Sequence, residues 1–182
     1  MSGYCDSAPG HPVHAPYHDH EYGFPVADDR ALFERLVLEI NQAGLSWLTI
    51  LNKRAGFRRA YDGFDIARIA AYGEADVARL LGDPGIIRNR LKIHAAIHNA
   101  GVALELIARH GSLKGWLDAE AMRCGLDKTA WVSCFRRTFR FTGGEIVGEF
   151  LMSTGYLPGA HRESCPVHAR IVAAGPAWRC GT

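Results

Sequence analysis

Cysteine and histidine side chains occur in two pairs at opposite ends of the chain. Cys5 and His18 lie thirteen residues apart near the N-terminus, and His161 and Cys165 lie four residues apart near the C-terminus. Two such pairs can close a tetrahedral Cys2His2 site, because thiolate and imidazole are the donors that structural zinc sites use. The spacing taken alone favours four unrelated loop residues, since the chain has no Cys-x-x-Cys pair.

A single carboxylate, Glu39, interrupts an apolar run that extends from Leu36 to Ile40. At that position a glutamate lies either on the solvent face of a helix or among apolar neighbours for a functional reason. Trp47 follows the next predicted turn. Its ring suits either a wedge in the core or a platform on which a ligand stacks.

A tight turn is predicted between Gly82 and Gly85, where the sequence is Gly-Asp-Pro-Gly. A helix, such a hairpin and a new helix start leave backbone N–H groups exposed, and these can bind a phosphate. Arg88 and Arg90 follow at once. Further basic clusters occur at residues 53–59 and 136–140. Each cluster taken alone also fits a solvated helix face.

The elements that must position these residues are all predicted to be helices. Apolar residues recur with helical spacing, and no segment alternates as a strand would. Helices are predicted after the N-caps Asp28, Ser46 and Asp65, and over residues 76–81, 87–110, 113–123, 128–137 and 145–153. Four prolines predict that residues 1–27 form an extended arm. The predicted fold class is all-α.

Length and composition indicate one folded domain over residues 1–182. The chain has a mass of 20.0 kDa, with 48% hydrophobic and 22% charged residues. A formal net charge of +2 does not by itself indicate a nucleic-acid-binding protein. Apolar runs of only a few residues predict no membrane helix. Five cysteines without an export signal predict a cytoplasmic protein with reduced thiols.

Four separate motifs occur in the order found in a known enzyme family. They are YHDHEYGFP at residues 17–25, LEINQAGLSW at 38–47, GIIRNR at 85–90 and GYLPGAH at 155–161. Through these motifs the chain resembles the 3-methyladenine DNA glycosylase I family. The resemblance covers nearly the whole chain except about the last dozen residues, which include Cys180.

This resemblance implies a fold, an activity and a metal. The family is a zinc-containing branch of the helix-hairpin-helix glycosylases, which remove alkylated adenine from double-stranded DNA and leave an abasic site. One structural zinc per chain would join the terminal segments 1–27 and 155–182. By this resemblance its ligands would be Cys5, His18, His161 and Cys165.

The same resemblance implies roles for the remaining candidate residues. Glu39 matches the buried glutamate of the family's base pocket, Tyr17 its base-contacting tyrosine and Trp47 its stacking tryptophan. Residues matched to the element that holds the DNA backbone are Gly82, Gly85, Arg88 and Arg90.

The chain departs from the family pattern at the pocket. Ser7 and Tyr22 stand where tryptophan is common, and His14 stands where a pocket tyrosine is often found. We therefore expect Tyr22 and His14 to contact the base in a looser pocket with a different substrate range. Tyr4 or His14 could fill the space left at Ser7, and a Ser7→Trp change is expected to tighten free-base binding.

The implied mechanism is that of a monomeric, monofunctional enzyme. A damaged base must leave the duplex to be reached. Alkylation at N3 makes adenine a cationic leaving group, so a desolvated Glu39 carboxylate would complement its charge while water attacks the sugar. Two alternatives remain, an inactive DNA-binding module and a zinc hydrolase in which Glu39 is the general base. A hydrolase needs an open coordination position at the metal.

Overall fold

A computed structural model describes residues 3–179, and no strand occurs in that range. The all-α prediction is confirmed. The helices are α1 (Tyr4–Ser7), α2 (His14–His20), α3 (Asp29–Gln42), α4 (Trp47–Ala60), α5 (Ile66–Ala70), α6 (Glu74–Gly82), α7 (Arg90–His110), α8 (Leu113–Cys124), α9 (Lys128–Thr138), α10 (Gly144–Ser153) and α11 (Pro166–Ala173). Within this range no helix is both long and apolar enough to cross a lipid bilayer.

Side-chain caps set most of the helix starts. Asp28, Ser46 and Asp65 each accept a hydrogen bond from a backbone N–H in the first turn of α3, α4 and α5, as predicted. A cap of this kind typically contributes about 1 kcal/mol. Asn89 caps α7, so this helix begins at Arg90 and not at residue 87 as predicted. The helix ends at Gly111, whose left-handed φ of 80° favours glycine.

The two terminal segments contain more helix than predicted. Residues 1–27 were expected to be extended, but they include α1 and α2. Pro16 lies in the first turn of α2, where its missing N–H removes no helical hydrogen bond. Pro166 begins α11 for the same reason. Cys180 lies outside the described residues.

Helix α3 crosses the centre of the molecule, and ten of its fourteen residues are buried. It packs against α4, α7, α8 and α10 around the main apolar core. A second, much smaller apolar cluster lies between the terminal segments. Its members are Cys165, Val167, Ile171, Cys5, Phe24 and Trp178. So few apolar groups supply little hydrophobic stabilisation for joining these segments.

The hairpin at residues 83–89 connects α6 to α7 and lies against α4. A Cβ on Gly56 of α4 would lie only 2.3 Å from the carbonyl oxygen of Gly85, so only glycine permits this approach. Lys53 donates a hydrogen bond of 2.6 Å to the carbonyl of Pro84. Lys92 donates to carbonyls at the end of α3. These contacts fix the hairpin relative to the turn between α3 and α4.

Candidate active site and metal centre

A cavity of about 490 Å³ opens between α3, α4, α10 and the N-terminal helices. This volume lies in the range of pockets that hold small organic ligands. The lining consists of aromatic rings and polar side chains. Its members are Tyr4, Tyr17, Tyr22, Glu39, Gln42, Trp47, Glu145 and Glu149. The cavity therefore combines flat apolar surfaces with several carboxylates.

Four aromatic rings form one continuous wall of this cavity. The centroid of Tyr17 lies 5.2 Å from that of Trp47 and 5.7 Å from that of Tyr22. Tyr4 meets Tyr22 edge to face at 5.5 Å. Trp47 Nε1 is buried and has no hydrogen-bond partner among residues 3–179, which leaves a donor unsatisfied beside the cavity. The prediction that Tyr17, Tyr22 and Trp47 lie together agrees with this geometry.

Glu39 is buried, with only 4% of its surface exposed, so the solvent-face alternative does not hold. Burial raises the pKa of its carboxyl from 4.5 to about 8, Arg35 opposes that shift and Glu149 adds to it. Its carboxylate accepts no hydrogen bond from the described part of the chain. A buried carboxyl without a partner, facing a cavity, is typical of a functional site.

Arg35 is a site residue that the sequence reasoning missed. It is buried one turn before Glu39 on α3. Its guanidinium donates 2.9 Å to Tyr17 Oη and lies 4.8 Å from the centre of that ring. It also forms an ion pair of 3.2 Å with Glu21. Arg35 therefore fixes the position of Tyr17, and its place directly before the apolar run that contains Glu39 was the available signal.

Two predicted pocket residues lie outside the cavity lining. His14 was expected to contact the base, but its Nδ1 instead hydrogen-bonds the hydroxyl of Tyr4 at 3.0 Å. Ser7 ends α1 and is exposed to solvent. The prediction that Ser7→Trp tightens base binding therefore loses its structural basis. Tyr4 supplies the ring at this wall, and His14 holds it from behind.

Four predicted metal ligands come together although they are far apart in sequence. The donor atoms of Cys5, His18, His161 and Cys165 all lie within 4.8 Å of one another. Nδ1 of His161 is 3.6 Å from the sulfur of Cys5 and 3.5 Å from that of Cys165. Metal–sulfur and metal–nitrogen bonds of about 2.3 and 2.0 Å in a tetrahedron place donors about 3.6 Å apart. The cluster can therefore hold one metal ion.

Both histidines of this cluster are oriented by a second hydrogen bond. His18 Nδ1 lies 2.7 Å from Asp19 Oδ1, and His161 Nε2 donates 2.9 Å to the carbonyl of Tyr22. Partners of this kind fix the tautomer and ring angle of metal-binding histidines. Because Tyr22 also lines the cavity, this contact joins the metal centre to the aromatic wall.

The predicted DNA-backbone glycines lie at the hairpin, and the backbone N–H of one of them is paired within the fold. Gly82 is the exposed last residue of α6, and Gly85 lies in the turn. The N–H of Gly85 donates 2.7 Å to Oδ1 of Asp83, so it is not free to bind a phosphate. The turn therefore requires a residue without a side chain at Gly85, since a Cβ there would lie 2.9 Å from the same Asp83 oxygen.

Arg88 in the hairpin and Arg90 just after it are both exposed to solvent. Arg88 is exposed, and Arg90 is exposed at the start of α7 with an ion pair of 3.8 Å to Glu74. A weak, exposed pair of this kind contributes little stability and leaves Arg90 accessible. Both side chains thus lie where the sequence analysis expects DNA contacts.

Most basic side chains of the cluster on α4 form contacts within the fold. Arg54 forms ion pairs of 2.7 Å with Glu21 and 2.5 Å with Glu34. Arg58 pairs with the same Glu34 at 2.9 Å, and Lys53 holds the hairpin. Arg54 and Arg58 are therefore paired with carboxylates of the fold, whereas Lys53 contacts only a neutral carbonyl.

An all-helical fold with a cavity of rings and carboxylates is shared with solved structures of DNA glycosylases, which defines the class of protein. The family model of methyladenine glycosylase matches residues 7–130. A DNA-3-methyladenine glycosylase of Haemophilus influenzae is 32% identical over 170 residues, which cover 85% of this chain and 91% of that protein. The chain belongs to the methyladenine glycosylase family.

Other relatives agree with this assignment. DNA-3-methyladenine glycosylase 1 of Escherichia coli is 48% identical over 95 residues, which cover 52% of this chain and 51% of that enzyme. A crystal structure of a 3-methyladenine DNA glycosylase I superposes with a TM-score of 0.79 and 35% identity, over 89% of this chain and 97% of that one. A structure of the Staphylococcus aureus 3-methyladenine DNA glycosylase I, solved to show how it recognises 3-methyladenine, also superposes on this chain. Its TM-score is 0.78 at 30% identity, over 90% of this chain and 95% of that one.

Proposed function

We propose that this protein excises 3-methyladenine from alkylated double-stranded DNA and leaves an abasic site, as an enzyme of base excision repair. The observation that carries the proposal is Glu39, a buried carboxyl that faces an aromatic cavity and lacks a protein partner. Such a group suits a ligand that brings its own positive charge and N–H donors. An N3-alkylated adenine nucleotide has both.

The aromatic wall is the proposed site for the flipped base. The rings of Tyr22 and Trp47 each lie within 6 Å of the ring of Tyr17, and stacking on such rings binds any flat base. Shape therefore does not distinguish damaged from undamaged adenine here. The charge of the alkylated base provides that distinction through Glu39.

Catalysis follows from that charge. Positive charge on the base already weakens the glycosidic bond, and an ionised Glu39 stabilises the cationic base in the reacting complex. Neutral adenine receives no such stabilisation. The lining contains no lysine within the described residues, so the proposed attacking group is water and the enzyme is monofunctional.

DNA binding is assigned to the hairpin and the exposed Arg88 and Arg90. Gly85→Val is expected to weaken binding about tenfold for all duplex sequences, because the new side chain displaces Asp83 and reshapes a backbone contact that carries no sequence information. Fluorescence anisotropy with an abasic duplex and an undamaged duplex measures this loss. Gly101→Ala on α7 is the control, since a Cβ there meets nothing within 4 Å. Equal affinity in both variants would place the DNA surface elsewhere.

The ion proposed for the Cys5, His18, His161 and Cys165 cluster is zinc, because two thiolates and two imidazoles in a tetrahedron are its preferred donors. Its role is structural. It joins residues 1–27 to 155–182 and makes residues 1–182 one glycosylase domain. Four protein donors fill the tetrahedron, and Glu39 is not among them, which argues against a zinc hydrolase. The protein is proposed to act as a monomer in the cytoplasm, where thiols stay reduced.

Release of the base distinguishes the proposed enzyme from an inactive DNA-binding module. Purified protein is incubated with a methylated duplex, and free bases and abasic sites are quantified by chromatography. We expect 3-methyladenine in the free fraction and equal numbers of abasic sites without strand breaks. Tight binding of the duplex without any released base would support the inactive module and contradict the proposed function.

A further inference from the structure

We infer that Glu149 is a specificity-determining residue, which together with Tyr22 binds the cationic base from the side of α10. This inference rests on the proposed function. Packing of the fold does not by itself require a glutamate at position 149 or a tyrosine at position 22. Glu149 stands between the buried residues Gly148 and Phe150, at a position where an apolar side chain would pack without cost.

The contacts of Glu149 place it at the cavity. Its side chain lines the cavity together with Glu39, and its Oε2 accepts a hydrogen bond of 3.2 Å from the hydroxyl of Tyr22. This is the only hydrogen bond that the Glu149 side chain forms within residues 3–179. Burial raises the pKa of its carboxyl. Both the half-buried position and the single partner leave acceptor capacity for a ligand.

The charge balance of the cavity points to a cation. Its lining contains three carboxylates and, in the described part of the chain, no lysine, arginine or histidine. Glu145 is 93% exposed and has Lys128 at 3.6 Å, so water and that lysine screen its charge. Glu149 has no ion-pair partner between residues 3 and 179. Two desolvated carboxylates that face one cavity are stabilised when a cation lies between them.

The geometry gives the tyrosine at position 22 a specific role. Its ring is part of the aromatic wall, and its hydroxyl donates a hydrogen bond to the Glu149 carboxylate. Tyr22 and Glu149 therefore act as a hydrogen-bonded unit in the cavity lining. The unit is expected to accept N–H donors of the base and to complement its charge.

The test compares two ligands of equal shape and different charge. Isothermal titration calorimetry with 3,9-dimethyladeninium, a permanent cation, and with its neutral 3-deaza counterpart gives the preference of the protein for charge. We expect Glu149→Gln to lower that preference about tenfold, with little change in binding of the neutral ligand, because glutamine keeps the size and can still accept from Tyr22. Glu145→Gln is the matched control and is expected to change the preference less than twofold.

The outcomes separate this inference from the proposed function. An unchanged preference for the cation in Glu149→Gln would contradict the role of Glu149. An equal loss of affinity for both ligands would also contradict it and would indicate a purely structural residue. Unfolding temperature and bound metal are measured for each variant, and Glu149→Met, which also removes the charge, replaces Glu149→Gln if that variant does not fold. If the wild type releases no 3-methyladenine from DNA, the proposed function fails, whatever the two ligands show.

Discussion

Glu39→Gln is expected to lower the rate of 3-methyladenine release roughly a hundredfold, the size of effect seen when one charge-stabilising group is removed from an enclosed site. Glutamine keeps the volume of the side chain, so the aromatic wall formed by Tyr17 and Trp47 should persist. The loss arises because the neutral amide no longer complements the cationic base. Single-turnover release of base from methylated DNA, with enzyme in excess, measures the effect.

The pH dependence identifies Glu39 as the group responsible. Only the ionised carboxylate complements a cation, and burial raises the pKa of Glu39 to about 8 in the free protein. The kcat/KM of the wild type should therefore rise between pH 6 and about 8 and then level off, since kcat/KM reports groups of the free enzyme. Glu39→Gln should lack this rise. Full activity and an unchanged pH profile in the variant would make Glu39 a structural residue.

Stability provides the control for the same variant. A carboxyl whose folded pKa lies above its unfolded value binds its proton more tightly in the folded state. The wild type therefore loses about 1.4 kcal/mol of stability for each pH unit between the ordinary pKa of 4.5 and the raised value of about 8. Glu39→Gln avoids this loss, so its unfolding temperature should equal or exceed that of the wild type at pH 8. A structural Glu39 would give the opposite result.

Cys165→Ser is expected to abolish stoichiometric metal binding and to destabilise the fold by several kcal/mol. The free energy of binding at a structural metal site contributes directly to folding. The small apolar cluster around Cys165 and Ile171 cannot replace the ion in joining the terminal segments. Elemental analysis of the purified protein and thermal unfolding with and without a chelator measure both effects.

A matched cysteine variant separates metal loss from a general effect of serine. Cys124 on α8 is half-buried and lies outside the metal cluster. Cys124→Ser should therefore retain about one metal ion per chain. Only Cys165→Ser should disturb the positions of the rings in the aromatic wall. Tyr4 directly precedes the metal ligand Cys5, and the carbonyl of Tyr22 accepts a hydrogen bond from the ligand His161. A tightly bound ion in Cys165→Ser, or no ion in the wild type, would remove the proposed metal centre.

The local sequence determined where most helices begin and end. Asp28, Ser46 and Asp65 bind N–H groups within three residues of themselves, and Gly111 adopts its left-handed conformation through its own backbone. Interactions of this kind depend on nearest neighbours along the chain. They are therefore visible in the sequence before any tertiary contact is known. The same holds for the all-α fold class, which follows from apolar spacing.

Tertiary structure alone decided which of these residues form a site. The apolar run around Glu39 left its burial open, and only packing of α3 against α4 and α10 removes it from water. Family resemblance placed His14 in the pocket, whereas the fold turns Tyr4 into that space. No local sequence signal identifies Glu149 as a site residue, because its role depends on a contact with Tyr22, which lies 127 residues earlier. Burial, charge balance and donor geometry depend on contacts between segments that are distant in sequence. For that reason the sequence predicted the kind of chemistry, but not which side chains line the cavity.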